Sequence, residues 1–284
     1  MGYLNPFAVS AVTAVQYGRC TVHWEKTMAP WDPECYLTYQ KERFAPFEDL
    51  LPLIRVRSDM SVVDLGCGTG ELTLRLAEWL PGSRVLGIDT SEEMLAKARE
   101  LERPGLHFER RDLRALEGRW DLVFSNAAIH WAEDHRELVP RLLSCAAPGG
   151  QIALQLPSNH HHVAHRMVIE TAAEEPFKTA LEGWVRQSPV LPMASYAEIL
   201  YQAGAEDMRI FEKVYPHIME NADALATWLS GTTLVPYLDR LNEVYRTFFM
   251  QVLRRKLRTL WPSGPVFYPF RRIFLSAFRP EEAA

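Results

Sequence analysis

The chain has 284 residues, 48% of them hydrophobic, with a formal net charge of −5 at neutral pH. That length suits one large domain, or one with a substantial insertion, and the apolar content supplies a sizeable core and excludes intrinsic disorder. A slightly acidic balance gives no general attraction to nucleic acid or to a membrane surface, and no apolar run approaches the roughly 18 residues of a membrane span.

Residues 1–27 hold no sustained period and are expected to form a flexible extension, with the domain proper spanning residues 28–284 from Met28. Over residues 36–51 the spacing of Leu37, Phe44, Phe47 and Leu51 predicts an amphipathic helix with a kink at Pro46. Val62 and Val63 begin a short apolar run that stops at a glycine cluster. Leu72, Leu74, Leu76, Ala77 and Leu80 then supply one side of a helix that Pro81 and Gly82 end, and a second apolar run, 85–88, finishes on Asp89. Strand, glycine turn, helix and strand make a βαβ unit, and hence a parallel sheet with a right-handed crossover.

Ser91 is a suitable N-cap for a helix over residues 92–101. A third strand is expected at 106–110 and a fourth at 120–125, nearly all apolar as a strand buried on both faces should be. A helix over 133–146 and the turn Pro148-Gly149-Gly150 lead into a fifth strand at 151–156. The alternation then lapses, and residues 158–192 read as a helical cap insertion with Phe177 and Trp184 as anchors. A helix at 195–203 ends on Gly204 and precedes a sixth strand at 208–215. A second cap segment, about 217–265, holds helices at 221–229 and 242–260, and the last strand covers 273–278. The expected fold is α/β: a doubly wound, mostly parallel, seven-stranded Rossmann-like sheet with a helical cap over the strand ends.

Several tempting residues have plain explanations. Cys20, Cys35, Cys67 and Cys145 form no C-x-x-C pair and read as free thiols in the cytoplasm. His160-His161-His162 and His165 have no carboxylate or thiolate at ligand spacing, so no metal is expected. Arg254-Arg255-Lys256 with Arg258 reads as the wet face of a helix, not a nucleic-acid patch. The sequence carries no mark of an oligomeric state.

The turn Asp64-Leu65-Gly66-Cys67-Gly68-Thr69-Gly70 carries the chemistry. Gly66 and Gly68 leave room for a ligand to approach the backbone, and the helix beyond offers unpaired N–H groups. Asp89, at the tip of the second strand, is placed to accept both hydroxyls of a ribose. The glycines follow G-x-G-x-G, not the G-x-G-x-x-G of dinucleotide enzymes, and a carboxylate at Asp64 suits an ammonium-bearing ligand better than a pyrophosphate. D-L-G-C-G-T-G and V-L-G-I-D-T-S resemble the first two motifs of class I S-adenosylmethionine methyltransferases. That resemblance implies S-adenosylmethionine as cofactor, held by Asp64, Gly66, Cys67, Gly68, Asp89, Thr90, Met94, Asp112, Leu113 and Asn126, with Tyr39 and Arg43 on a helix that closes over it. His130 and Trp131 follow the fourth strand, where open α/β sheets bind ligands. No base-flipping motif stands there, which argues against a nucleic-acid base as substrate.

W-D-P-x-x-Y-L near Trp31, N-A-A-I-H-W-A-E-D-H from Asn126, L-Q-L-P-S-N from Leu154, Y-A-E-I-L-x-x-A-G from Tyr196, W-L-S-G-T-T-L-x-P-Y-L from Trp228 and the closing P-F-R-R-I-F together resemble the trans-aconitate 2-methyltransferase family. The resemblance implies an O-methyltransferase that forms a methyl ester on a small carboxylic acid, trans-aconitate first. His130 is the catalytic candidate should a base be required. Trp131, Tyr237, Tyr268, Arg271 and Arg272 are the expected substrate contacts, with one of the two adjacent arginines facing the pocket from the start of the last strand. Val235 stands where the family pattern carries an arginine, so fewer charges and a broader or different acid are expected. N- or C-methylation of another small metabolite, and a non-catalytic S-adenosylmethionine-binding protein, are the alternatives.

Overall fold

The computed structural model describes residues 40–282. Its strands are β1 (Ser61–Leu65), β2 (Arg84–Asp89), β3 (Leu106–Arg110), β4 (Trp120–Asn126), β5 (Ala146–Pro157), β6 (Glu206–Met219) and β7 (Val266–Phe278). They form one seven-stranded sheet in the order β3-β2-β1-β4-β5-β7-β6. Strands β1 to β5 pair in parallel. β7 lies antiparallel between β5 and β6.

The helices among the described residues are α1 (Gln40–Leu50), α2 (Glu71–Trp79), α3 (Glu92–Ala98), α4 (His135–Cys145), α5 (Val163–Ala172), α6 (Phe177–Ala180), α7 (Met193–Gln202), α8 (Ala222–Ser230), α9 (Val235–Leu238) and α10 (Glu243–Leu260). Neighbouring strand residues point to opposite faces, and here both faces are apolar. Val62 and Phe124 therefore enter one core with Phe47, Leu76 and Leu95 of α1, α2 and α3. Val63 and Val123 enter the other with Leu142 of α4 and Leu200 of α7. The remaining helices form the cap: α10 packs on α5, α6 and α8, with Phe177 of α6 against Phe249. Trp184 meets Tyr237 edge-to-face and lies under the Arg240 guanidinium. No helix among the described residues is long and apolar enough to cross a membrane.

The last two strands are longer than the sequence pattern predicts. β6 runs on to Met219, so residues 217–219 belong to the sheet and not to a cap segment, and β7 begins at Val266. Pro216 and Pro269 face each other across this ladder. Proline supplies no N–H and weakens a strand pattern wherever it stands. Arg271 and Arg272 consequently lie in mid-strand instead of at its start. Helix α4 starts at His135 because Asp134, at φ 50°, caps it by accepting the Glu137 N–H. Pro46 lies inside α1. Everything expected before residue 40, the extension and Tyr39 included, falls outside the described residues, as does the side chain of Arg43.

Candidate active site

A cavity of about 690 Å³ opens where the carboxyl ends of the parallel strands meet the cap, within the ~300–1,000 Å³ typical of small-molecule sites. The glycine turn forms one wall. Gly66 and Cys67 donate their N–H groups to the Ile88 carbonyl at 2.8 and 3.0 Å, which folds the chain back from β1 at positive φ. A Cβ on Gly66 would lie 2.2 Å from that of Ala128, whereas one on Gly68 would meet nothing within 4 Å. Gly66 is thus a packing requirement, and Gly68 keeps space open beside the cavity.

Asp89 is fixed at the tip of β2. Its Oδ2 accepts the Gly68 N–H at 3.0 Å and its Oδ1 the Ser91 N–H at 2.9 Å. Thr90, Met94, Asp112 and Leu113 line the same cavity. Asp112 is gripped by Arg114 at 2.6 Å, and that hydrogen bond holds its carboxyl below the usual range. Three residues expected at the cofactor, Asp64, Cys67 and Asn126, do not line this cavity. Asp64 does not line the cavity: it is buried behind the turn, accepts the Thr73 hydroxyl at 2.6 Å, and burial, with the nearby Asp89 charge, raises its pKa to about 7. Cys67 also faces inward, its Cβ 3.0 Å from where a Cβ on Gly87 would stand, and burial pushes its thiol up.

The segment after β4 is sharply bent. Ala127 adopts φ 54°, unusual for a residue with a Cβ, and its N–H is held by the Gln155 carbonyl at 2.9 Å. This bend directs the 3₁₀ turn Ile129–Trp131 to the cavity, where His130 and Trp131 form part of the wall. Asn126 lies just behind, with a buried Oδ1 that has no hydrogen-bond partner among the described residues, and it does not line the cavity. The His130 Nδ1 is likewise buried without a partner among them. Burial, reinforced by Arg186 and Arg272, drives the His130 pKa well below its ordinary value, so the ring is neutral.

The two adjacent arginines separate cleanly. Val266, Tyr268, Phe270 and Arg272 share the buried face of β7, and Arg272 is only 5% exposed. Arg272 lines the cavity, donates to Gln155 Oε1 at 3.3 Å and packs over the Phe270 ring. Arg271 points to the other side, half exposed, in an ion pair with Glu212 at 2.6 Å. It is not a cavity residue. Tyr268 is not one either: it is fully buried and bonds His165 Nε2 at 2.7 Å. His165 does line the cavity, with Thr233 on its other nitrogen at 3.2 Å. Burial lowers its pKa to about 3. Tyr237 lines the cavity and accepts the Arg186 N–H at 3.2 Å.

Arg186 is a cavity residue that the sequence pattern did not single out, and His165, considered there only as a metal ligand, is another. The phase of the V-F-Y-P-F-R run identifies the inward arginine once the strand is known to start at Val266. Nothing local identifies Arg186, which reaches the cavity from the irregular stretch between α6 and α7.

An S-adenosylmethionine-dependent methyltransferase of class I is what this sheet order, glycine turn and strand-end cavity define, and a family model described as a methyltransferase domain matches residues 56–214. The trans-aconitate 2-methyltransferase of Deinococcus radiodurans is 45% identical over 257 residues, covering 88% of this chain and 99% of that protein. The Paracidovorax citrulli trans-aconitate 2-methyltransferase is 36% identical over 264 residues, with 89% and 99% covered. The chain belongs to the trans-aconitate 2-methyltransferase family. Its fold is shared more distantly with Haemonchus contortus phosphoethanolamine N-methyltransferase 2, solved with S-adenosyl-L-methionine, at TM-score 0.52 and 18% identity. That match covers 85% of this chain and 53% of the other, so the chain spans about half that protein's length.

Proposed function

We propose that the chain transfers the methyl group of S-adenosylmethionine to a carboxylate of trans-aconitate, giving a methyl ester. The observation that carries this reading is a cavity that joins a glycine turn and a strand-tip carboxylate to a wall bearing two guanidinium groups, Arg186 and Arg272. The residues present fit the cofactor: Gly68 leaves open space, and each Asp89 oxygen bonds one backbone N–H and keeps a lone pair for a ribose hydroxyl. Gly66 and Gly68 would cradle it, Asp89 would hold its ribose, and Met94, Asp112 and Leu113 would bound its base. S-adenosylmethionine, when bound, supplies an electrophilic sulfonium methyl group.

A carboxylic acid has an ordinary pKa of about 4, so the nucleophile is already ionised at neutral pH. The protein's part is then to hold that anion in line, in a site cleared of water. Guanidinium groups do so with a planar fork that matches a carboxylate. Methylation of a nitrogen or carbon that must first lose a proton would call on His130. Its depressed pKa makes it a weak base, which favours the ester over that alternative.

The test is a rate panel. Purified protein with S-adenosylmethionine is expected to release S-adenosylhomocysteine with trans-aconitate and related polycarboxylates, and not with small amines or phenols. A preference for amines would overturn the reading.

A further inference from the structure

We infer that Arg186 is the specificity residue of this cavity, gripping a substrate carboxylate other than the one methylated and so selecting acids that carry more than one. The inference rests on the carboxyl-methylation reading above.

Three contacts fix Arg186. Its backbone N–H donates to the Tyr237 hydroxyl at 3.2 Å. Its Nη2 donates to the His130 carbonyl at 3.1 Å. Its guanidinium lies 4.4 Å from the centroid of the Trp131 ring. All three partners are neutral, and among the described residues no carboxylate forms an ion pair with Arg186. A partly buried cation with neutral partners is an expensive way to stabilise a fold, since its desolvation is not offset by an opposite charge. As an anion receptor the same arrangement is economical. The carbonyl and the ring hold the plane of the guanidinium and use one of its roughly five N–H donors, leaving a fork for a bidentate carboxylate.

The charge count of the cavity follows. Four arginines line it: Arg111 and Arg114 are ion-paired with Glu109 and Asp112, whereas Arg272 reaches it from β7 and Arg186 from the stretch between α6 and α7, so these last two cations come from separate elements and belong to the same cavity. Val235 contributes apolar surface to that cavity. The shortage of cations anticipated from position 235 is therefore made good by Arg186. A substrate with carboxylates on separate carbons can meet both guanidinium groups. A monocarboxylate leaves one partly buried guanidinium without an anion, which costs affinity. Trp131 and Tyr237 act through Arg186 as positioning residues.

The experiment compares wild type with Arg186→Met and Arg186→Lys, using trans-aconitate and the monocarboxylate crotonate as acceptors. S-adenosylhomocysteine affinity is read by calorimetry. Arg186→Met is expected to raise the KM for trans-aconitate about 10–100-fold, to change kcat less than about threefold, and to lower the trans-aconitate to crotonate kcat/KM ratio by the same factor as KM. Arg186→Lys, with the charge and without the fork, should recover only part of the loss. S-adenosylhomocysteine affinity within about twofold of wild type certifies the folded site. An unchanged KM and acceptor ratio in either folded variant overturns the assignment while leaving the methyltransferase reading intact. If wild type fails to methylate trans-aconitate, that reading fails. The Arg186 assignment is then decided by titrating trans-aconitate into the S-adenosylhomocysteine complex: binding that Arg186→Met abolishes supports it, and no binding by wild type overturns it too.

Discussion

Alanine at Gly66 and alanine at Gly68 should break the protein in two different ways. Both residues sit at positive φ, 72° and 56°, where an L-residue costs ~1–2 kcal/mol. At Gly66 the new Cβ would stand 2.2 Å from the Cβ of Ala128, far inside the ~3.5–4.0 Å optimum for carbon atoms. Relieving that clash moves the segment leading to His130, and overpacking of this kind adds ~1–3 kcal/mol. Gly66→Ala should therefore destabilise the fold by about 2–5 kcal/mol, and each kcal/mol lowers Tm by ~2–4 °C in a domain approaching this size. At Gly68 the new Cβ meets nothing within 4 Å, so only the backbone cost of ~1–2 kcal/mol applies. On the proposed reading that Cβ would instead take up open space at the cavity wall where the cofactor would lie. Urea unfolding and calorimetric titration with S-adenosylmethionine separate the two. Gly68→Ala should lose more than about tenfold in affinity with a modest stability loss, and Gly66→Ala should show the larger unfolding shift. Equal stability losses, or a Gly68→Ala protein that binds the cofactor like wild type, would refute the division of labour.

Asp89→Ala should weaken S-adenosylmethionine by about 2–4 kcal/mol, the loss of one or two charge-assisted hydrogen bonds, as read by calorimetry. Arg272→Lys should cut kcat/KM for the acid by ~10–100-fold, about 1.4–2.8 kcal/mol, with cofactor binding retained. Arg271→Lys should stay near wild type in the same assay, because its ion pair with Glu212 is solvent-exposed on the Arg271 side. Burial holds His165 at about 3 and His217 at about 4. Both lie below the ordinary 6.5, so unfolding takes up protons below that pH. The stability they contribute is full above about 6.5 and falls with further acidification by ~1.4 kcal/mol per pH unit for each, down to the folded pKa. His217→Asn should flatten the dependence of Tm on pH between about 4 and 6.5, and an unchanged slope would show that His217 protonates freely in the folded protein.

The parallel half of the molecule was legible because local signals agree there. Val62-Val63, the glycine run and Asp89 specify strand, turn and strand tip by themselves, and the expected elements coincide with β1 to β4 within a few residues. The antiparallel edge was less so. Pro216 and Pro269 interrupt the strand signal at facing positions, and the aromatic run at 266–270 reads as cap until its partner strand is in place. Asp64 and Cys67 were assigned to the ligand because they belong to the turn, but a β-strand alternates its faces, and a tight turn directs some side chains into the core. Arg186 illustrates the limit most clearly. Its importance comes from Trp131, His130 and Tyr237, residues some 50 positions away on either side that only the folded chain brings to it.

Carboxyl methylation is tested most directly by the fate of the transferred methyl group. Protein incubated with methyl-labelled S-adenosylmethionine and trans-aconitate should yield an extractable acid whose label mild base releases as methanol, with one S-adenosylhomocysteine formed per label transferred. Label that resists base, or cofactor that binds without any transfer to the acid, would contradict the assignment of this cavity to carboxylate methylation.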